Sequence, residues 1–425
     1  DNEVRKIRYL LKPPAIYNNA VMKKIVHHMP FVKFSKPGDK IEVGPLFLKV
    51  IKEMKVLRNV PVMNYFFGSG FSSIRQYEVN AIAQYIQRVE DVLETIFLTT
   101  GESVNIFENK LAEYLDSKNV VGVTSCTAAL HLCLLAWGIG RADEVITTPM
   151  SFCATANAIL HAGATPAFVD VEEETGNINA ELIEARITKR TKAIIPVHLY
   201  GQMCDMKKIR QIADKYNLIV IEDAAHCIEG MHENIKVGQL GDAACFSFYA
   251  TKNITSGEGG AIATNNTEKA ELLSMLRLHG IDRSVADRYT KRYQHWDMPV
   301  LGWKYNMDNI QASILIGQLN RIDKLLERRE EISIKYENAL NHIKGINLIK
   351  TRINSRHARH LFTIRAPEAK RDHMLVSLQG RGIGVAVNYR PIHLLKYYKK
   401  QFGFKQGDFP VAEKIGAETI SLPLY

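Results

Sequence analysis

From about residue 118 the chain alternates short apolar runs, rich in β-branched residues, with stretches of helical periodicity. The apolar runs fall at 120–124, 144–147, 167–171, 193–197, 218–221, 245–249 and 261–264, and each predicts a strand. Between them, 127–137, 152–161, 180–187 and 206–216 predict helices. Strands that alternate with helices build parallel βαβ units, so the expected fold class is α/β, with a mostly parallel central sheet flanked by helices. Ligands of such sheets settle outside the carboxyl ends of the strands, which directs the search for chemistry to the residues just after each strand.

Beyond 305 the pattern changes. Residues 309–319 and 322–342 predict long amphipathic helices, and 346–425 mix short strands with helices, as a smaller α+β C-terminal domain would. The expected organisation is a basic N-terminal segment (1–62), a large cofactor-binding domain with entry helices (63–305) and a smaller C-terminal domain (306–425), truncated at its end. Within 1–62, helices are predicted around 21–28 and 45–57 and a turn at 36–39, and Gly68-Ser69-Gly70 reads as a linker.

The bulk numbers add limits. With 425 residues, 46% hydrophobic and 24% charged, the composition is that of a soluble globular protein. No apolar run reaches the roughly 20 residues that span a bilayer, and the start lacks the form of a signal peptide. The six cysteines contain no Cys-x-x-Cys pair and suit reduced thiols, hence a cytoplasmic location. Of the net charge of +10, residues 1–62 hold +8, from 13 Lys/Arg against 5 Asp/Glu. A basic segment can meet nucleic acid, but no aromatic stacking pattern interleaves it, and a solvated extension accounts for it equally well. Neither a membrane nor a nucleic-acid partner is expected.

Three strand ends carry candidate chemistry. Thr124-Ser125-Cys126-Thr127 runs from the first strand into a helix, whose N-terminal N–H groups and dipole suit a phosphate, although Ser and Thr also cap helices for structural reasons. After the fifth strand stands Glu222-Asp223-Ala224-Ala225-His226. Two such acids could hold a metal, but no phosphate-binding Gly-x-x-x-x-Gly-Lys-Ser/Thr loop precedes them, and no metal is expected. An Asp there can instead keep a pyridine nitrogen protonated, turning the ring into an electron sink. The next strand leads through Ser247 to Lys252 and then to Gly257-Glu258-Gly259-Gly260. A buried lysine has a lowered pKa and becomes a nucleophile suited to Schiff-base chemistry.

Thr-Ser-x-Thr-Ala-Ala-Leu-His, Glu-Asp-Ala-Ala-His and Phe-Ser-Phe-x-x-x-Lys-Asn-x-Thr-x-Gly-Glu-Gly-Gly together resemble the DegT/DnrJ/EryC1/StrS sugar aminotransferases. Gly302-Trp303-Lys304-Tyr305-Asn306-Met307-Asp308-Asn309, Asn388-Tyr389-Arg390-Pro391-Ile392-His393 and the final Leu-Pro-Leu-Tyr extend the likeness, which covers roughly 64–425. It implies a fold-type I enzyme that uses pyridoxal 5'-phosphate. By that resemblance Lys252 forms the Schiff base and moves protons, and Asp223 pairs with the pyridine nitrogen. Phe152 and Ala225 cover the two ring faces, and His226 lies near the ring hydroxyl. Ser125, Cys126, Thr127 and Ser247 hold the phosphate, and Asn306 reaches it from a neighbouring subunit, so a homodimer is the minimum. Tyr389, Arg390 and His393 are implied near the substrate. The implied reaction moves an amino group from an amino acid, glutamate, to a nucleotide-linked keto-sugar, an NDP-4-keto-6-deoxyhexose. Two positions depart from the family pattern: Cys126 stands where Gly is frequent, and Asn388 where His is usual.

Other readings remain open on the residues. A sugar dehydratase uses the same scaffold, but relatives with that chemistry tend to carry His at the position of Lys252. A non-catalytic regulator would use the basic segment, and a nucleotide hydrolase would use Glu222 and Asp223 with a metal.

Overall fold

The computed structural model describes residues 76–95, 97–282 and 295–424, which belong to one compact unit, Ser73–Tyr425. The features expected within 1–62 and the linker at 68–70 lie outside the described residues.

Two helices, α1 (Gln76–Leu93) and α2 (Glu102–Leu115), precede the sheet. Its strands are β1 (Asn119–Val123), β2 (Glu144–Thr147), β3 (Thr165–Phe168), β4 (Thr191–Ile195), β5 (Ile219–Asp223), β8 (Ala243–Ser247) and β9 (Gly260–Thr264). Two-residue strands β6 (Met231–His232) and β7 (Ile235–Lys236) form a separate hairpin between β5 and β8. In space the order is β1-β9-β8-β5-β4-β2-β3. β2, β3, β4, β5 and β8 are mutually parallel, while β9 runs antiparallel to both of its neighbours, β1 and β8. The mostly parallel α/β sheet is therefore present, each expected strand ending within three residues of its predicted place.

Alternation along the strands splits the core into two layers. Val220, Ala244 and Phe246 pack on one face with α2, α5 (Met206–Tyr216) and α7 (Asn309–Leu319). Ile221, Cys245 and Ile262 pack on the other with α3 (Cys126–Ala136), α4 (Ala154–His161) and α6 (Thr267–Leu276). Helix α3 is apolar all round, as suits a helix enclosed between the sheet and its neighbours. Helix α5 instead buries only one stripe, Met206, Ile209, Ile212 and Ala213, and its ends are set by Asp205, which accepts from Lys208 N–H at 3.1 Å, and a left-handed Asn217.

One predicted helix is not there. Residues 180–187 form two short 3₁₀ turns, Ala180–Leu182 and Glu184–Arg186. The segment is pinned at both ends, where Asn179 accepts from Glu181 N–H at 3.0 Å and the Thr188 hydroxyl donates to Glu144 at 2.5 Å. Between the pins only Ala180 and Ile183 are buried, too little apolar surface to sustain a full helix.

After α7 comes α8 (Ile322–Leu340), followed by β10 (Asn347–Leu348), β11 (Ser355–Arg356), β12 (Phe362–Arg365), α9 (Glu368–Gly380), α10 (Lys396–Phe402), α11 (Pro410–Glu418) and β13 (Thr419–Leu422). β10, β12 and β13 form a small antiparallel sheet backed by Tyr336 of α8 and Leu378 of α9. β11 pairs with β6, so the chain beyond α8 adds a third strand to the β6–β7 hairpin that lies between β5 and β8 in the chain. Among the described residues no helix is long and apolar enough to cross a membrane.

Candidate active site

The carboxyl ends of β1, β5 and β8 converge because β8 is the immediate neighbour of β5 and β9 fills the place between β8 and β1. Directly after β1, Ser125 adopts an extended backbone and its hydroxyl accepts from Ala128 N–H at 3.1 Å, capping α3. With that hydroxyl committed to the helix, an anion at this end would be gripped chiefly by the backbone N–H groups of Cys126 and Thr127. Gly260 opens β9 directly beneath: a Cβ there would lie 2.4 Å from the Ser125 carbonyl carbon. The glycine run is thus a packing requirement of the loop above it.

Asp223, the last residue of β5, is buried. Its Oδ2 accepts from the Thr155 hydroxyl at 2.7 Å and its Oδ1 from Ala225 N–H at 3.2 Å. Burial pushes its carboxyl up, while these two donors and the charge of Lys252 pull the other way. The Cys126 thiol lies 3.9 Å from Oδ1, and burial, then Asp223, hold that thiol well above its ordinary value. The cysteine is therefore an uncharged packing group.

Glu222 is also buried, yet it serves another purpose. Successive strand residues face opposite sides, so Glu222 shares the layer of Val220 and Asp223 that of Ile221. Glu222 takes His198 Nε2 at 2.8 Å, Gly238 N–H at 3.0 Å and Gly241 N–H at 2.8 Å. The two acids cannot close on one ion, which removes the geometric basis for the hydrolase reading.

Lys252 follows β8 in a turn closed by its own N–H on the Tyr249 carbonyl at 2.9 Å. Burial lowers its amine to about 8, against opposing contributions from Cys126 and Asp223. Ser247 ends β8 half-buried, paired in register with Gly260.

His226 is buried and both its ring nitrogens are engaged: Tyr200 N–H donates to Nδ1 at 3.3 Å, and Nε2 lies 3.1 Å from the Tyr389 hydroxyl. Burial, then the Lys252 charge, holds the ring far below its ordinary value, so it is neutral. Since Nδ1 accepts, the proton sits on Nε2 and is donated to Tyr389, whose own phenolic proton is free to point elsewhere. Phe152 is 59% exposed, its ring 6.0 Å from that of Tyr389. An aromatic ring left this open offers a face to a planar ligand.

The remaining expected residues divide. Arg390 is exposed one residue past Tyr389. His393 does not join the pocket: it is fully buried, with Nε2 2.9 Å from Glu413 and its ring 4.8 Å from that of Phe409, because the apolar cluster around Phe404 and Phe409 claims the segment after Pro391. Asn306 pairs through its backbone with Val123, and its amide is shared between Thr100 at 3.0 Å and Lys304 at 2.6 Å. Thr155 and His360 were missed from sequence, although a hydroxyl inside an apolar helix and a His pair at 357 and 360 were visible signals. The donor set fits pyridoxal phosphate: an acid for a ring nitrogen, open faces for the ring, a helix N-terminus for the phosphate and a low-pKa amine for the aldehyde.

Comparison with known proteins agrees. The description of the DegT/DnrJ/EryC1/StrS aminotransferase family matches residues 80–425. The Bacillus subtilis spore coat polysaccharide biosynthesis protein SpsC is 43% identical over 346 residues, 80% of this chain and 89% of that protein. GDP-perosamine synthase of Caulobacter vibrioides is 38% identical over 343 residues, covering 79% of this chain and 89% of its own. Among solved structures, S. venezuelae DesV in complex with a ketimine intermediate superposes with a TM-score of 0.75 at 33% identity, over 82% of this chain and 90% of DesV.

Proposed function

The chain belongs to the DegT/DnrJ/EryC1/StrS aminotransferase family and has its fold-type I architecture, and from that premise we propose that it transfers an amino group from glutamate to an NDP-4-keto-6-deoxyhexose, with pyridoxal phosphate held at Lys252. The observation that carries the reading is the convergence of buried Asp223 and low-pKa Lys252 at adjacent strand ends, beside the N-terminus of α3.

When bound, pyridoxal phosphate supplies an aldehyde that carries nitrogen between substrates and a pyridinium ring that stores an electron pair. Asp223, oriented by Thr155, keeps a proton on the ring nitrogen. The N–H groups of Cys126 and Thr127, with the Ser247 hydroxyl, hold the phosphate, and Asn306 of a second copy of the chain completes that grip, which makes a homodimer the working unit. Phe152 and Ala225 enclose the ring, and His226 stands toward its hydroxyl side. Lys252 anchors the cofactor and then works as acid and base, taking a proton from the donor's carbon and returning it to the sugar carbon; an amine poised at about 8 can do both near neutral pH. Tyr389 and Arg390 face the sugar. In this reading 63–305 holds the cofactor, 306–425 covers the substrate and the enzyme works in the cytoplasm.

The test is a coupled assay with glutamate and UDP-, dTDP- and GDP-linked 4-keto-6-deoxysugars. An amino-sugar product with one of them is expected. If no keto-sugar consumes the amino group, the sugar assignment fails; if a deoxygenated sugar forms instead, the enzyme is a dehydratase.

A further inference from the structure

Behind the site stands a buried polar chain that the proposed mechanism does not use. Arg329 of α8 pairs with Glu229, and Glu229 Oε2 accepts from Asn253 Nδ2 at 2.6 Å. That nitrogen also donates to the Ala358 carbonyl at 3.0 Å, which fixes the amide so that its oxygen faces His360 Nδ1 at 2.9 Å. His360 Nδ1 must therefore be the donor. The His360 ring lies on His226, with centroids 4.3 Å apart and planes tilted by 32°. Its backbone docks on the loop that carries Tyr200, His360 N–H donating to the Tyr200 carbonyl at 3.1 Å, and a Cβ at Gly201 would lie 3.0 Å from His360 N, so that approach requires the glycine.

Burial, then His226 and Lys252, holds the His360 ring well below its ordinary value, with smaller contributions from Arg329 and His357. The ring is neutral, so with the proton on Nδ1 its Nε2 is an acceptor, and none of the described residues hydrogen-bonds that atom. Asn253 is the residue next to Lys252, and the charge of Lys252 is felt at both stacked rings. We propose that His360 is a positioning residue for Lys252: locked by Asn253, the lysine's neighbour in the chain, and set against the His226 ring, its unpaired Nε2 is the acceptor that steadies the amine while it is protonated. This rests on the reading of Lys252 as the working amine of the site, and it assigns a role to a residue over a hundred positions away in the chain.

The test follows the titration of Lys252 in the cofactor-free protein by competitive acylation across pH, read by peptide mass spectrometry. The titratable groups around the lysine are Asp223, Cys126, His226 and His360, so the first three are kept unchanged. His360→Phe retains the stacking surface but removes donor and acceptor; His360→Gln retains both. We expect the Lys252 midpoint to fall by about one pH unit in His360→Phe, the effect of one hydrogen bond to a charged group, and to recover in His360→Gln. Circular dichroism checks that both variants are folded. Equal midpoints in wild type and a folded His360→Phe overturn the proposal, as does a His360→Gln variant that is folded yet shifted like His360→Phe. Because no substrate or cofactor enters this measurement, its failure is separable from failure of the keto-sugar assay.

Discussion

Thr155 Oγ1 donates a 2.7 Å hydrogen bond to Asp223 Oδ2, and the same Thr155 oxygen lies 2.8 Å from the Ser151 hydroxyl. A helix residue thus orients a carboxylate at a strand end 68 positions later. Thr155→Val keeps the shape and removes the donor. Pyridoxal phosphate affinity is expected to fall by about tenfold, since a hydrogen bond to a charged group contributes about 1.5–3 kcal/mol, whereas Thr155→Ser stays near wild type. Equal affinities for Thr155→Val and wild type would count against an orienting role.

Lys252 gives a stability prediction as well as a catalytic one. Its amine is lowered from 10.5 to about 8, so between those values the unfolded chain binds more protons than the folded one and stability rises with pH; below about 8 the full cost is present. Lys252→Met is expected to raise the melting temperature of the cofactor-free protein at pH 7, with the gap narrowing as pH climbs through that window. The same variant should lose activity by about 10²-fold or more. A lower melting temperature than wild type at pH 7 would sink the stability claim.

Ser125 separates capping from ligand binding. Its hydroxyl is occupied by Ala128 N–H, so Ser125→Ala should cost about 1 kcal/mol in denaturant unfolding. The loss of cofactor affinity should be smaller than in a variant that disturbs the backbone, such as Gly260→Ala, where the added Cβ meets Ser125 at 2.4 Å. Finding Ser125→Ala the weaker binder of the two would show that the hydroxyl itself holds the phosphate.

The Arg329–Glu229 pair is enclosed, both side chains at 3% exposure or less. Arg329→Met leaves Glu229 buried without its cationic partner, at a cost of about 3–5 kcal/mol. Adding Glu229→Gln should restore part of that stability, because a neutral amide oxygen still accepts from Asn253. Additive losses in the double variant, measured by urea unfolding, would contradict the pairing.

The sequence by itself determined the alternation of strands and helices, the places of Asp223 and Lys252 after two strands, and the small-residue turn before α3. These are local: a period of two or of 3.6 and a capping residue are written in neighbouring positions. The turns at 180–187 were misread as a helix because the pins at Asn179 and Thr188 depend on partners that periodicity does not contain. Only the tertiary structure decided that β8 lies next to β5 and that antiparallel β9 brings Gly260 beneath Ser125. The same packing gave Glu222 its partner His198, enclosed His393 with Phe409 and carried His360 onto His226. Such pairings are set by which buried polar groups find partners once the layers close, and that outcome depends on the whole core.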